Sequence, residues 1–259
     1  MGSSQAKVTK VAGLEDIAVG IVGTGMMGTA HAKAWTRVRG LPERISSFNR
    51  ARKLQRACLL LTIFAPFAQL GMTVFIGSRD AARGAKAAAS IGNGCAGGGH
   101  AEMLEKSNFV LLCIKPGPPS VQFVDSIKEQ VKGKGKSFVD MSASYTRYCS
   151  DRDRAPPPYK SHLNYLKDRL GDPSSSWVKA WANVMYTSIS NFNRQPMEVA
   201  GDPKAKETAF RMLTAAGFEP LDCGTAEDAM KIEPISAPFN RPERWRHPRH
   251  LEFNGPNHP

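Results

Sequence analysis

Missing from this chain is any apolar run of the roughly 20 residues that a membrane-crossing helix needs. The longest candidate, residues 57–68, is interrupted by Pro66. The opening Met-Gly-Ser-Ser-Gln-Ala has Ala6 where an acylation signal places Ser or Thr, and no secretory signal follows it. A cytoplasmic protein without membrane association is therefore expected. Cysteine is sparse. Cys58, Cys95, Cys113, Cys149 and Cys223 are scattered, odd in number and form no CxxC pair, which excludes a disulfide framework and indicates reduced thiols. A Gly-x-Ser-x-Gly elbow, the Gly-Lys-Ser/Thr ending of a phosphate loop and internal repeats are also lacking. His247, His250 and His258 have no Cys or carboxylate partners at ligand spacing, which argues against a zinc site. His31, His100 and His162 stand alone and read as surface or capped histidines, Cys113 as an inert core thiol, and Asp140 as a cap. No metal and no catalytic dyad are expected.

Acidic residues are in deficit, with 23 Asp and Glu against 35 Lys and Arg, a net charge of +12. That balance suggests nucleic acid, but its distribution does not. Half of the excess lies in residues 36–68, where Arg37, Arg39, Arg44, Arg50, Arg52, Lys53 and Arg56 face only Glu43. Another cluster, Arg241, Arg244, Arg246 and Arg249 with Glu243, sits in the C-terminal tail. What remains is mildly basic, as suits phosphorylated small molecules, and no aromatic-interleaved basic helix is present. A small-molecule substrate is expected and nucleic acid is not, with homodimer assembly left open.

What the chain does contain is Ile17-Ala18-Val19-Gly20-Ile21-Val22 running directly into Gly23-Thr24-Gly25-Met26-Met27-Gly28. A β-branched run followed by Gly-x-Gly-x-x-Gly and then by helical spacing is the pattern of a dinucleotide-binding βαβ unit. Gly23 makes the turn, Gly25 admits the pyrophosphate, and Gly28 allows close packing of helix on strand. Phosphates are favoured at the start of that helix by its free N–H groups and dipole.

Strand-helix alternation continues along the chain. Strands are predicted at 16–22, 72–77, 108–114, 137–141, 177–181, 197–201 and 218–221, and helices from 26 and at 80–90, 100–107, 119–131, 162–170, 203–216 and 227–232. Residues 92–99 read as a flexible glycine-rich connection with a short strand around Cys95-Ala96. This pattern predicts a Rossmann-type α/β fold, doubly wound on a mostly parallel sheet. The organisation expected is a tail at 1–15, one nucleotide-binding domain at 16–234 with an irregular loop at 145–176, and an extended Pro/Arg/His-rich tail at 235–259. Ser78 lies 50 positions beyond Gly28, although the residue that reads the adenosine ribose normally lies about 20 positions on. Setting aside 36–68 shortens that distance to 17 and joins Trp35 to Gln69 in one helix. Residues 36–68 are thus an insertion in the first crossover, either a real surface excursion or retained intron sequence.

An NAD site places an acidic residue after the second strand. Ser78-Arg79 instead offers a hydroxyl and a guanidinium that match a 2′-phosphate, and Arg83 adds charge one turn later, so NADP(H) is the expected cofactor. Ile114-Lys115-Pro116, at the end of a buried strand, would face the nicotinamide.

Several segments together resemble the coenzyme F420-dependent NADP reductase family. They are Gly23–Gly28, Val74–Arg79, Val178-Lys179-Ala180-Trp181-Ala182-Asn183, Val199-Ala200-Gly201-Asp202, Ala215–Gly224 and Ala229–Pro234. The Ile114-Lys115-Pro116 turn is more similar to pyrroline-5-carboxylate reductases, which share the N-terminal domain. The resemblance implies hydride transfer between NADPH and a deazaflavin such as coenzyme F420, a reaction that needs positioning more than an acid or base. It also implies that Ile114, Val139 and Ala180 line the nicotinamide cleft, with Ser142 and Asn183 near the acceptor. Two further readings stay open: an imine reductase, and a non-catalytic NADP-binding sensor or partner protein.

Overall fold

Fully buried strands need apolar side chains on both faces, because a parallel sheet is covered by helices above and below. The computed structural model shows this directly; it describes residues 14–22, 72–91, 94–142, 154–182 and 196–233. Strands β1 (Ala18–Val22), β2 (Thr73–Ser78), β3 (Ala96–Gly99), β4 (Phe109–Leu112), β5 (Ser137–Asp140), β6 (Ser176–Lys179), β7 (Pro196–Gly201) and β8 (Glu219–Asp222) form one sheet. Their spatial order is β3-β2-β1-β4-β5-β6-β7-β8. Every pair is parallel except β6 with β7, where Val178 faces Gly201 and Lys179 faces Ala200 in antiparallel register. The first six strands follow the 3-2-1-4-5-6 arrangement of a dinucleotide-binding α/β fold.

Six helices accompany these strands among the described residues: α1 (Ala81–Ile91), α2 (His100–Lys106), α3 (Pro118–Val131), α4 (His162–Leu170), α5 (Pro203–Ala215) and α6 (Ala229–Ile232). None is long and apolar enough to cross a membrane. Because side chains alternate across a strand, successive residues feed two separate cores. Val74 and Ile76 of β2, Phe109 and Leu111 of β4, and Val139 and Val178 pack with Ala88 and Ile91 of α1 and Ala209, Met212 and Leu213 of α5. Their neighbours Phe75, Val110, Leu112, Phe138 and Trp177 face the other way, against Met103 of α2, Phe123, Val124 and Ile127 of α3, and Leu163 and Leu166 of α4. The Phe138 and Trp177 rings stack across β5 and β6 with centroids 4.7 Å apart.

The predicted alternation is present throughout the described residues, with shifts of one or two positions at element ends. Helix α4 matches its predicted span because its ends are chemically marked. The Ser161 hydroxyl accepts a hydrogen bond from the Asn164 N–H, and Gly171 closes the helix with a left-handed backbone. One expectation is corrected: the 92–99 stretch is more than a connection, because Gly97, Gly98 and Gly99 form most of strand β3. The reason is close approach. A Cβ on Gly84 of α1 would lie 2.2 Å from the Gly98 carbonyl oxygen, and one on Gly97 would lie 2.3 Å from the Gly84 oxygen. Helix and edge strand therefore meet backbone to backbone, and glycine on both sides is what permits it. The Gly23–Gly28 motif and the helix predicted after it, the expected 36–68 insertion, Asn183, part of 145–176 and the residues after 233 lie outside the described residues.

Gly84→Ala tests this contact, since helix propensity and packing pull in opposite directions. Propensity alone favours Ala by about 1 kcal/mol, whereas overpacking against an immovable carbonyl costs typically about 1–3 kcal/mol. We expect net destabilisation, seen as a lower urea midpoint at unchanged slope; a stabilised variant would contradict the close approach.

Candidate functional site

In open α/β sheets ligands gather beyond the carboxyl ends of the strands, at the point where strand order reverses. Here that point lies between β1 and β4, neighbours in the sheet whose connections lead to opposite sides. Three groups of residues occupy the carboxyl edge around it.

On the β2 side, Ser78 is buried and Arg79 is exposed. The next residue, Asp80, could have supplied the carboxylate of an NAD-type site, but it is engaged elsewhere. Its Oδ1 accepts the Ala82 N–H at 3.0 Å and its carbonyl accepts the Arg83 and Gly84 N–H groups, so it caps α1. The charge presented at the strand end is thus the Arg79 guanidinium. Arg83 lies one turn along the exposed face of α1. His100, opposite on α2, is half-buried with its ring edge-on to Phe123, and burial together with the Arg79 charge lowers its pKa.

At the end of β4, Ile114 is half-buried, Lys115 exposed and Pro116 buried. Gly117 follows with φ +81° and ψ −140°, a backbone that side-chain-bearing residues rarely adopt, and starts α3. Val139 and Ala180 are fully buried in the core shared with α1 and α5. The thiol of Cys113, expected to be inert, is buried 3.2 Å from the Met141 sulfur, and burial pushes its pKa far up.

A third group was not anticipated. Asp140 and Lys179 end β5 and β6 as direct partners in the parallel register, both on the α4 side of the sheet and both without solvent access. Lys179 Nζ lies 2.8 Å from Asp140 Oδ2 and 3.5 Å from Glu233 Oε1, and it also donates to the Ser142 carbonyl. Asp140 Oδ1 accepts the Ser142 N–H at 2.9 Å, while Oδ2 also receives His162 Nδ1 at 3.1 Å. Glu233 takes the opposite end of the cluster. Its two oxygens each accept the His162 N–H at 3.0 Å, and Oε1 accepts the Leu163 N–H at 3.3 Å, an anion at the start of α4.

The imidazole tautomer follows from these partners. The Gly117 N–H can only donate, and it points at His162 Nε2 over 3.2 Å, so Nε2 accepts and the ring proton resides on Nδ1, facing Asp140. Ser142 Oγ, 3.1 Å from Nδ1 and 3.3 Å from Lys179 Nζ, belongs to the same cluster. The expectations of an isolated, surface or capped His162 and of Asp140 as a simple cap are therefore corrected. Asp140, Lys179 and Glu233 are separated by up to 93 positions in sequence, and only sheet register and the approach of α4 unite them. A lysine in an otherwise apolar strand, Trp177-Val178-Lys179-Ala180, was the available signal, since an ammonium there must find an anion.

Burial disfavours the Asp140 carboxylate, but the Lys179 charge and the hydrogen bonds from His162 and Lys179 prevail and hold it well below the usual carboxylate range. Lys179 is likewise disfavoured by burial, yet Asp140 and Glu233 raise it above its ordinary value. Trp181, two residues beyond β6, has a φ of +55° and is the one described non-glycine residue with positive φ, a conformation costing roughly 1–2 kcal/mol.

No protein-family model matches the chain, and no curated protein matches its sequence. Solved structures do resemble it. A hypothetical protein from Sinorhizobium meliloti superposes with a TM-score of 0.57 at 15% identity, covering 86% of this chain and 92% of the other. A putative F420-dependent NADP-reductase from Arthrobacter sp. gives 0.57 at 16%, covering 84% and 89%. An imine reductase from Pseudomonas sp. gives 0.53 at 16%, covering 85% of this chain but 59% of that longer one.

The linked carboxylate and ammonium set an expected pH profile. The depressed Asp140 contributes stability that is complete above its unfolded value of 3.8 and drains away as pH falls below it. The raised Lys179 contributes below 10.5 and is lost as pH climbs past that value. Urea denaturation across pH should show this plateau. Asp140→Asn should lower it by about 3–5 kcal/mol, because the ammonium is left buried beside one remaining anion, and should blunt the acid decline. At these identities, what the comparisons establish is the fold: an eight-stranded, mostly parallel Rossmann-like α/β sheet.

Proposed function

We propose that this chain is an NADP(H)-dependent oxidoreductase that transfers hydride between NADPH and a deazaflavin acceptor of the coenzyme F420 kind. The observation that carries the reading is the end of β2. Ser78 and Arg79 stand at the carboxyl edge beside the switch point, while the neighbouring carboxylate, Asp80, is turned into α1 as a cap. That arrangement suits a phosphate monoester and disfavours the bare ribose hydroxyls of NAD.

In this reading Ser78, Arg79 and Arg83 hold the 2′-phosphate. Gly23, Thr24, Gly25, Met26, Met27 and Gly28 carry the pyrophosphate, and Ile114, Lys115 and Pro116 bound the nicotinamide side. Val139 and Ala180, expected to line that cleft, are fully buried and are assigned instead to its backing, with Ser142 and Asn183 toward the acceptor. When bound, the reduced nicotinamide supplies the hydride. The chain's own contribution is to orient the two rings and exclude water, consistent with an edge built from buried and backbone-fixed groups. The motif resemblance favours a deazaflavin acceptor, as does the Arthrobacter structure by its assignment. The imine reductase likeness keeps a cyclic imine as the second acceptor.

Calorimetric titration with NADPH and NADH tests the cofactor. Arg79→Asp should weaken NADPH by about ten- to a hundredfold, the worth of a charge-assisted contact, with NADH changed far less. Equal losses would refute the 2′-phosphate role. NADPH oxidation with a deazaflavin, a flavin and a cyclic imine offered in turn then identifies the acceptor. We expect the deazaflavin to be turned over fastest, and a cyclic imine turned over instead would overturn that assignment.

A further inference from the structure

The buried cluster does more than neutralise charge, because one member reaches out of it. His162 is the first residue of α4 and sits over the ends of β5 and β6. Its Nδ1 edge is locked to Asp140 at 3.1 Å, and Asp140 is locked in turn to Lys179 and to the Ser142 N–H. Its backbone N–H is held by both oxygens of Glu233. The ring therefore has a fixed position and direction. Its remaining polar atom, Nε2, accepts the Gly117 N–H at 3.2 Å. Ser120 Oγ donates to the Gly117 carbonyl at 2.8 Å and lies 3.0 Å from Nε2, so it holds the other polar group of Gly117 beside the ring.

Gly117 closes the turn that begins with Ile114-Lys115-Pro116, beyond the last residue of β4 at the switch point. Its backbone lies in a glycine-only region, so the turn has no side chain of its own there to pack. The first turn of α3 holds the Gly117 carbonyl through the Ser120 and Val121 N–H groups, and the imidazole holds its N–H. We propose that His162 is a positioning residue: its imidazole ties the Lys115-Pro116-Gly117 turn to the anchored ends of β5 and β6, setting the wall of the nucleotide cleft on the nicotinamide side. The proposal rests on the nucleotide reading above and adds to it a residue outside the nucleotide motifs. It predicts a local effect. The nicotinamide half of the ligand should feel a change at His162, and the adenosine half, at the far end of β2, should not.

Two conservative replacements divide the ring's functions. Asn reproduces the donor toward Asp140 but offers nothing to Gly117, whereas Gln reproduces an acceptor near the Nε2 position. Calorimetric titration of the full chain with NADPH and with 2′,5′-ADP, which carries only the adenosine end, reads the two halves separately. His162→Asn should weaken NADPH by about two- to tenfold, the worth of one neutral hydrogen bond, and leave 2′,5′-ADP unchanged. His162→Gln should recover most of the loss. Ser120→Ala, which leaves the Asp140–Lys179 pair intact, should weaken NADPH in the same direction and keeps the test alive if Asn impairs folding. Equal weakening of both ligands by Asn would make His162 merely structural and overturn the proposal, as would unchanged NADPH binding in both the Asn and the Ser120→Ala proteins. A wild-type protein that binds neither ligand would overturn the nucleotide reading itself, and the positioning role with it.

Discussion

An ammonium group with no access to water dictates how this edge of the molecule is built. Lys179 points from β6 into the interface beneath α4, and such a charge is tolerated only when anions and hydrogen-bond acceptors surround it. Asp140 comes from the neighbouring strand, Glu233 from the residue after α6, and the Ser142 carbonyl from the turn after β5. Each of these partners has a second obligation. Asp140 holds the His162 ring, and Glu233 holds the first N–H groups of α4. One buried charge thereby couples two strands, two helices and the β4–α3 turn, and the loss of either carboxylate would leave the ammonium partly unanswered.

The β3 margin of the sheet is fixed by the lack of side chains. Gly84 and the β3 glycines let α1 settle onto backbone, which brings β3 alongside β2 and pairs Ser78 with Gly99. Arg79 and His100, the next residue of each strand's continuation, emerge together at the carboxyl edge as a consequence. These two regions solve different problems. The glycine side carries an exposed positive group, while the charged region buries its ions together with the His162 ring. In the proposed reading, a nucleotide laid across the edge would meet attraction at its phosphate end and a rigid wall at its reactive end, as positioning for hydride transfer requires.

Much of the fold was legible from sequence for a simple reason. Strands covered on both faces must be continuously apolar and helices between them must be amphipathic, so β1, β2, β4 and β5 announced themselves by composition, and α4 by its Ser161 and Gly171 caps. The edge strand β3 was less legible, because glycine signals flexibility locally and close packing only when the facing helix is known. The placement of Ser78 and Arg79 at the carboxyl end of β2 could be read from the apolar run that precedes them. His162 could not, since nothing near it in the chain hints at Asp140, Lys179 or Gly117.

Sequence alone therefore determined the order and type of the elements, the parallel character of the sheet and the cationic end of β2, since each depends on residues close together in the chain. Tertiary structure decided where buried charge is answered. It put Asp140 opposite Lys179 by strand register, brought Glu233 to the start of α4, and turned His162 toward Gly117. Those outcomes depend on contacts between residues 39 to 71 positions apart, and a linear pattern does not encode which ammonium meets which carboxylate until the sheet has formed.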